Sequence, residues 1–314
     1  MGARRTCFGG SACLRVGPAQ ATGRTMSTLL AHTMRLGRSR RSGNVLDARG
    51  GGGRKIGLGI GGLVIILLGA LFGVDLSGIV GAVGQGGGGQ VSVEAGAPTD
   101  EGGDFVAAVL GETEDVWSDL FQRSGYDYPE PELVLFSGVV PTACGTGQSA
   151  TGPFYCPRDR RVYFDLSFYG QLQRLGAGGD FALAYVIAHE VGHHIQNVEG
   201  TLEQVQRAQA QLTRRGDQAQ ANALSVRAEL QADCYAGVWA YHSERERDVL
   251  EAGDVEEGLR AAAAVGDDNI QSMAGRAASP ETFTHGTSQQ RVSAFREGFA
   301  TGDPQACDTF GDLR

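Results

Sequence analysis

The chain has 314 residues, 49 of them glycine, and a net charge of -9. That length holds one or two domains, but the glycine excess falls mostly before residue 104 and marks a long non-globular share. Residues 1–55 carry about +10 and the remainder about -19; a basic arm without interleaved aromatics, followed by an acidic body, rules out nucleic-acid binding as the working reading.

In chain order, residues 1–55 read as a basic, largely disordered arm. Its first 33 residues hold Cys7 and Cys13 but no periodicity, so Met34 or Met26 is the expected true start. Residues 56–74 (IGLGIGGLVIILLGALFGV) are uncharged over 19 positions, long enough for a transmembrane helix. The arginine-rich side belongs in the cytoplasm by the positive-inside rule, which puts everything after Asp75 outside. Residues 75–103 lack any period and read as a Gly-rich linker.

A globular domain is expected over 104–314, large enough for a real core. Asp104 is placed as the N-cap of a helix whose apolar face carries Phe105, Val109, Val116, Trp117, Leu120 and Phe121. Leu133–Phe136 and Val162–Leu166 are short β-rich runs bounded by turn residues. Asp180 is placed as the cap of a helix ending near Asn197. Residues 200–220 are helical by composition with little apolar face, as a lid or a solvated helix would be. A stronger helix is expected over 221–242, a short one opened by the capping box Asp254-Val-Glu-Glu257, and a last one over 288–300. The fold class is therefore α+β: mostly helical, with a small β-sheet preceding the active-site helix.

Residues 189–193 read His-Glu-Val-Gly-His. Four residues apart on a helix, His189 and His193 share one face and can turn both imidazoles to one metal ion. Glu190 lies beside them, within reach of a metal-bound water. Zinc suits such ligands and, with three protein ligands, keeps a position open. Glu229 in Ala-Glu-Leu-Gln-Ala-Asp is the candidate third ligand, on a separate helix. Asp233, four residues on, is placed to accept the second ring N–H of a ligand histidine. Glu190 would act as general base and then general acid, and the oxyanion needs a donor beyond the metal. His285, on a glycine-containing turn before a helix, is the candidate. His194 points away from His193 and reads as structural; His242 stays unassigned. Four cysteines fall in the predicted external part: Cys144, Cys156, Cys234 and Cys307. Disulfides are favoured there. Of three pairings, Cys144–Cys156 with Cys234–Cys307 is preferred because the first pair is near in sequence; the alternative is cysteine as zinc ligand, for which no C-x-x-C spacing exists.

With its strand VYFDLSF, helix HEVGHH, helix ELQADC and the run THGTSQQR, the chain resembles the neutral zinc metallopeptidase family of bacteria, proteins anchored by one N-terminal span. The likeness runs from Met34 to Phe310 and includes PFYCP (153–157) and CDTF (307–310). More distantly, the His-Glu-x-x-His…Glu-x-x-x-Asp set is similar to the gluzincin metallopeptidases. His285 with Arg291 six residues later resembles the Thr-His-(x)5-Arg element of that clan's membrane-associated branch. The resemblance implies zinc on His189, His193 and Glu229, Glu190 as catalytic acid/base, and Asp233 behind a ligand. Residues 1–33 have no counterpart, and that branch has several spans where this chain shows one. Gluzincins hold substrate on an edge strand above the site; Val162–Leu166 is the candidate here.

The expected protein is a single-pass, membrane-anchored zinc endopeptidase with one Zn2+ ion. Its N-terminus would be cytoplasmic, its catalytic domain extracytoplasmic, and its partner a peptide or protein substrate. The alternatives are a non-catalytic zinc-stabilised binding or scaffold domain, which Glu190 argues against, and a zinc hydrolase of non-peptide bonds.

Overall fold

The computed structural model describes residues 34–49 and 96–311. The candidate span 56–74, and the linker up to residue 95, lie outside the described residues. Among the described residues no helix is long and apolar enough to cross a membrane.

Met34–Arg49 corrects the reading of a disordered arm. Val45–Asp47 is strand β1, and it pairs in parallel with β2 (Glu132–Leu135), Val45 opposite Leu133 and Asp47 opposite Leu135. Around it, Met34, Leu36 and Val45 are buried. The arginines that made this stretch look like a solvated arm are instead paired with acids of the domain: Arg41 holds Asp104 through two contacts of 2.9 and 2.7 Å, and Arg40 reaches Glu114 and Asp115. The ends of the intervening segment emerge side by side. Asp47 and Gly96 form an antiparallel bridge, and Arg49 pairs with Asp100.

The four-stranded sheet has the order β1, β2, β6 (Arg161–Phe164), β5 (Phe154–Cys156). Strand β6 is parallel to β2 and antiparallel to β5. It is thus an interior strand, with Val162, Tyr163 and Phe164 buried, which overturns its candidacy as the substrate-binding edge. A near-continuous apolar run marks a strand covered on both faces and flanked on both sides. The edge beside it is β5. Strands β3 (Val139–Thr142) and β4 (Gly145–Gln148) form a separate antiparallel hairpin, and the Cys144–Cys156 disulfide ties its turn to β5.

Helix α1 (Glu101–Arg123) starts four residues earlier than expected. Asp100, not Asp104, is its N-cap, accepting from the Gly103 N–H at 2.8 Å; Asp104 is taken by Arg41. After a short α2 (Phe168–Arg174) comes α3 (Asp180–Val198), buried along almost its whole length from Phe181 to Gln196. Asp180 is its first residue rather than its cap, and accepts from the Met34 N–H at 2.6 Å. Helix α4 (Thr201–Arg214) forms a hairpin with α5 (Gln218–Arg245), its one buried side chain, Val205, meeting Leu224 and Ala228. Next come α6 (Asp254–Ala264), α7 (Asp267–Met273) and α8 (Ser288–Thr301). Asp254 also begins its helix rather than capping it; its carboxylate receives the Glu251 N–H. Helix α8 opens with a capping box formed by Thr287 and Gln290.

Two glycines set how closely the helices approach. A Cβ on Gly192 would lie 2.9 Å from the Ala232 carbonyl oxygen, so only glycine lets α3 rest directly on α5. A Cβ on Gly298 would lie 1.9 Å from the Cys234 oxygen, which seats α8 on the other side of α5. The described domain is mostly helical with small sheets, an α+β fold in which sheet precedes the histidine-bearing helix.

Candidate metal centre

On α3, Tyr185, His189 and His193 follow at four-residue spacing along one stripe. The close contact at Gly192 brings that stripe against Glu229 and Asp233 of α5. The Nε2 atoms of His189 and His193 lie 3.2 and 3.4 Å from the two carboxylate oxygens of Glu229. The three ligand atoms all fall within 4.8 Å of one another. A tetrahedral zinc site with bonds near 2.0–2.1 Å has ligand atoms about 3.3 Å apart, so the donor set and its spacing fit zinc.

The far sides of the rings are held as a metal site requires. His189 presents Nδ1 to Asp233 at 2.9 Å, and His193 presents Nδ1 to the Gln196 side-chain oxygen at 2.8 Å. Both rings thereby keep Nε2 for the Glu229 side. Asp233 is fully buried and receives Arg291 through two bonds and the Tyr185 hydroxyl at 2.5 Å. Burial works to raise its carboxyl, but Arg291 and His189 outweigh burial and hold it at about 2. Burial likewise opposes charge on Glu229, and the two facing histidines outweigh it, keeping that carboxyl well below the usual range. The His189 imidazole is pulled down by burial yet lifted to about 10 by Asp233 and Glu229. A cluster that so favours a cation is suited to a divalent one.

Glu190 is buried beside the histidines and makes no hydrogen bond with another described residue. Burial raises its carboxyl above the ordinary glutamate value, with the histidine charges opposing. A carboxylate raised in this way is a stronger base than an exposed glutamate. His285 sits on the turn before α8, its side chain half exposed. Asp267, at the start of α7, accepts the N–H groups of Thr284, His285 and Gly286 at 2.8, 2.7 and 3.0 Å. Its other oxygen lies 3.2 Å from His285 Nδ1. The imidazole is pulled down by burial, but Asp267 and the negative Glu229 outweigh this and raise it.

The other two histidines among the described residues, His194 and His242, have partners of their own. The Nε2–H of His194 donates to the Pro129 carbonyl and its Nδ1 receives the Tyr155 hydroxyl, burial lowering it to about 4. His242 bonds the Gly302 carbonyl and Glu246. Neither touches the cluster. Cys234 is joined to Cys307, pinning the C-terminal segment to α5. A second acidic group, Asp180 with Asp254 and Glu257, lies apart from these histidines.

The sequence reading missed three residues of this centre and the role of a fourth. Tyr185 was legible as the residue one turn before His189, and Gln196 as the residue three after His193. Arg291 was noted only for its spacing from His285, while its work is to hold Asp233, Tyr185 and the back of His189. Asp267 had no local signal.

Known proteins carry the same arrangement of sequence. The family described as "Putative neutral zinc metallopeptidase" matches residues 34–310. The "Uncharacterized protein YpfJ" of Escherichia coli (strain K12) is 48% identical over 285 residues, covering 87% of this chain and 97% of that protein. "Uncharacterized protein Mb2605" of Mycobacterium bovis and "Uncharacterized protein Rv2575" of Mycobacterium tuberculosis are each 44% identical over 216 residues, 65% of this chain and 69% of theirs. No solved structure matches. With the match running through both histidines, Glu229 and the Thr-His…Arg turn, the chain belongs to the neutral zinc metallopeptidase family.

Proposed function

We propose that the protein is a zinc endopeptidase with one ion, held by His189, His193 and Glu229. The observation that carries this reading is the convergence of those three side chains beside Glu190, a buried carboxylate without a hydrogen-bond partner among the described residues. Zinc, when bound, polarises a carbonyl and lowers the pKa of water in its site. Glu190 removes a proton from the water that adds to the peptide carbonyl carbon, then delivers it to the departing amine as the C–N bond breaks. His285, oriented by Asp267, donates to the oxygen on which negative charge develops. Strand β5 is the edge on which an extended substrate would pair, since its outer side has no strand partner in the four-stranded sheet.

The test compares full-length wild type with Glu190→Gln, by metal content and by cleavage of a peptide library. Zinc in both with turnover only in wild type supports the endopeptidase. Zinc in both with turnover in neither supports a zinc-stabilised scaffold, and equal turnover removes Glu190 from the reaction.

We further propose that the domain works outside the cytoplasm and is attached to a membrane. Two disulfides favour an oxidising compartment, and the 19-residue uncharged run 56–74 supplies apolar length. With β1 in the catalytic sheet, Met34–Arg49 belongs on the same extracytoplasmic side. Single cysteines placed at Arg38 and at Glu203 should label together with a membrane-impermeant thiol reagent on intact cells. Labelling at Glu203 alone would separate the two segments and restore a single crossing.

A further inference from the structure

The two ligand histidines are backed differently. His189 has a carboxylate behind it, whereas His193 has a neutral amide that is itself held by a chain of buried contacts. The side-chain nitrogen of Gln196 donates to the Ala228 carbonyl at 2.7 Å and to the Gln231 side-chain oxygen at 3.0 Å. Gln231 in turn donates to the Cys307 carbonyl at 3.1 Å. Both glutamines are buried, Gln196 at 0% and Gln231 at 2% exposure, so no bulk water replaces a lost partner.

This chain fixes which way each amide points. A main-chain carbonyl only accepts. Cys307 therefore demands the nitrogen of Gln231, turning its oxygen to Gln196. Ala228 and that oxygen together demand the nitrogen of Gln196. The one remaining orientation aims the Gln196 oxygen at His193 Nδ1, 2.8 Å away. An acceptor there requires a proton on Nδ1, which leaves the Nε2 lone pair facing Glu229. A flipped Gln196 would set its oxygen against the Ala228 and Gln231 oxygens and point an N–H at His193 Nδ1, which would move the ring proton to Nε2.

We propose that Gln196 is a positioning residue for the metal centre. Held by Ala228 and Gln231, it sets His193 in its metal-binding tautomer and ring orientation, and Gln231 extends that hold to the segment tied down by the Cys234–Cys307 disulfide. The inference rests on His193 being a metal ligand. It also accounts for the neutral partner: with Glu190, Glu229 and Asp233 around one site, a carboxamide orients the ring without adding a further buried negative charge.

The test is zinc affinity, read by chelator competition on the full-length protein, with circular dichroism of the metal-free proteins as the folding control. Gln196→Met keeps the length and removes donor and acceptor; a loss of about 10- to 100-fold in affinity is expected. Gln196→Glu restores an acceptor facing Nδ1 but loses the N–H that holds the side chain on Ala228 and Gln231, so it should bind zinc more tightly than Gln196→Met and more weakly than wild type. A purely structural role would not separate these two variants by zinc affinity. Wild-type affinity in Gln196→Met, beside a His193→Ala control that has lost zinc, overturns the proposal alone. Wild-type affinity in His193→Ala overturns the ligand assignment and the proposal with it. If Gln196→Met does not fold, Gln231→Met carries the test: it removes one of two holds on the Gln196 amide, and a loss of about threefold or more is expected, with unchanged affinity overturning it.

Discussion

Arg291 and Asp233 meet as a fork in the interior, Nε 2.7 Å from one carboxylate oxygen and a terminal nitrogen 2.8 Å from the other. The arginine belongs to α8 and the aspartate to α5, so the pair joins the helix after the His285 turn to the helix carrying Glu229. Asp233 in turn backs His189, which makes Arg291 an indirect support of the metal centre. Replacing it by alanine strands a buried carboxylate. We expect Arg291→Ala to cost about 3–5 kcal/mol in urea unfolding of the zinc-free protein. Zinc affinity should drop about 10- to 100-fold by chelator competition. A variant with wild-type stability would show that Asp233 finds another partner.

Glu190 is adjacent to His189, yet it takes no part in the ligand set. Glu190→Gln should therefore retain a full zinc complement while losing about 10²- to 10⁴-fold in kcat for peptide cleavage. Zinc loss in this variant would mean that Glu190 supports the centre rather than the proton transfer.

His285 is held from below by Asp267 and faces the charge of Glu229 without joining the ligand atoms. His285→Ala is expected to lower kcat about 10²- to 10³-fold with little change in KM, as for loss of one oxyanion donor, and to leave zinc affinity unchanged. Asp267→Ala should reproduce part of the kcat loss, because it frees a turn that three backbone N–H groups now anchor. Steady-state kinetics beside metal titration would check both.

The carboxyl of Asp254 is pushed up to about 6 by burial, with the charges of Asp180 and Glu251 adding. An unfolded aspartate releases its proton near 3.8, so the folded state holds the extra proton between those values. Stability from this group is complete below pH 3.8 and is lost as pH rises through 6, a loss on the order of 2–3 kcal/mol by pH 8. Asp254→Asn, which keeps an acceptor for the Glu251 N–H, should raise the Tm of the zinc-free protein by several degrees at pH 8. It should change little at pH 4. An equal shift at both values would point to packing rather than charge.

The two disulfides close loops of different size, 12 residues for Cys144–Cys156 and 73 for Cys234–Cys307. By loop-closure entropy the longer one contributes more, about 4 against about 3 kcal/mol. Cys307→Ala should lower denaturant stability more than Cys144→Ala. It should also disturb the segment whose Cys307 carbonyl receives Gln231, which the hairpin disulfide does not touch.

Much of the centre was legible in one dimension because it obeys helix periodicity. His189 and His193, then Glu229 and Asp233, are four-residue pairs, and such pairs share a face in any α-helix whatever surrounds it. Burial of the helices followed from their apolar content, whereas the interior place of β6 was misread as an edge. Edge and interior positions were confused because strand order depends on partners remote in the chain.

What sequence alone determined, then, is the chemistry on each helix: two imidazoles with a carboxylate beside them, and a second helix bearing the carboxylates of Glu229 and Asp233. Tertiary structure decided how those helices meet. Gly192 against Ala232 sets the distance, Arg291 and Gln196 set the ring orientations, and β1 brings Met34–Arg49 into the four-stranded sheet. These are contacts between residues tens to hundreds of positions apart, and no local period encodes them; only the folded chain, trading backbone freedom for buried surface and paired charge, selects which distant partners touch.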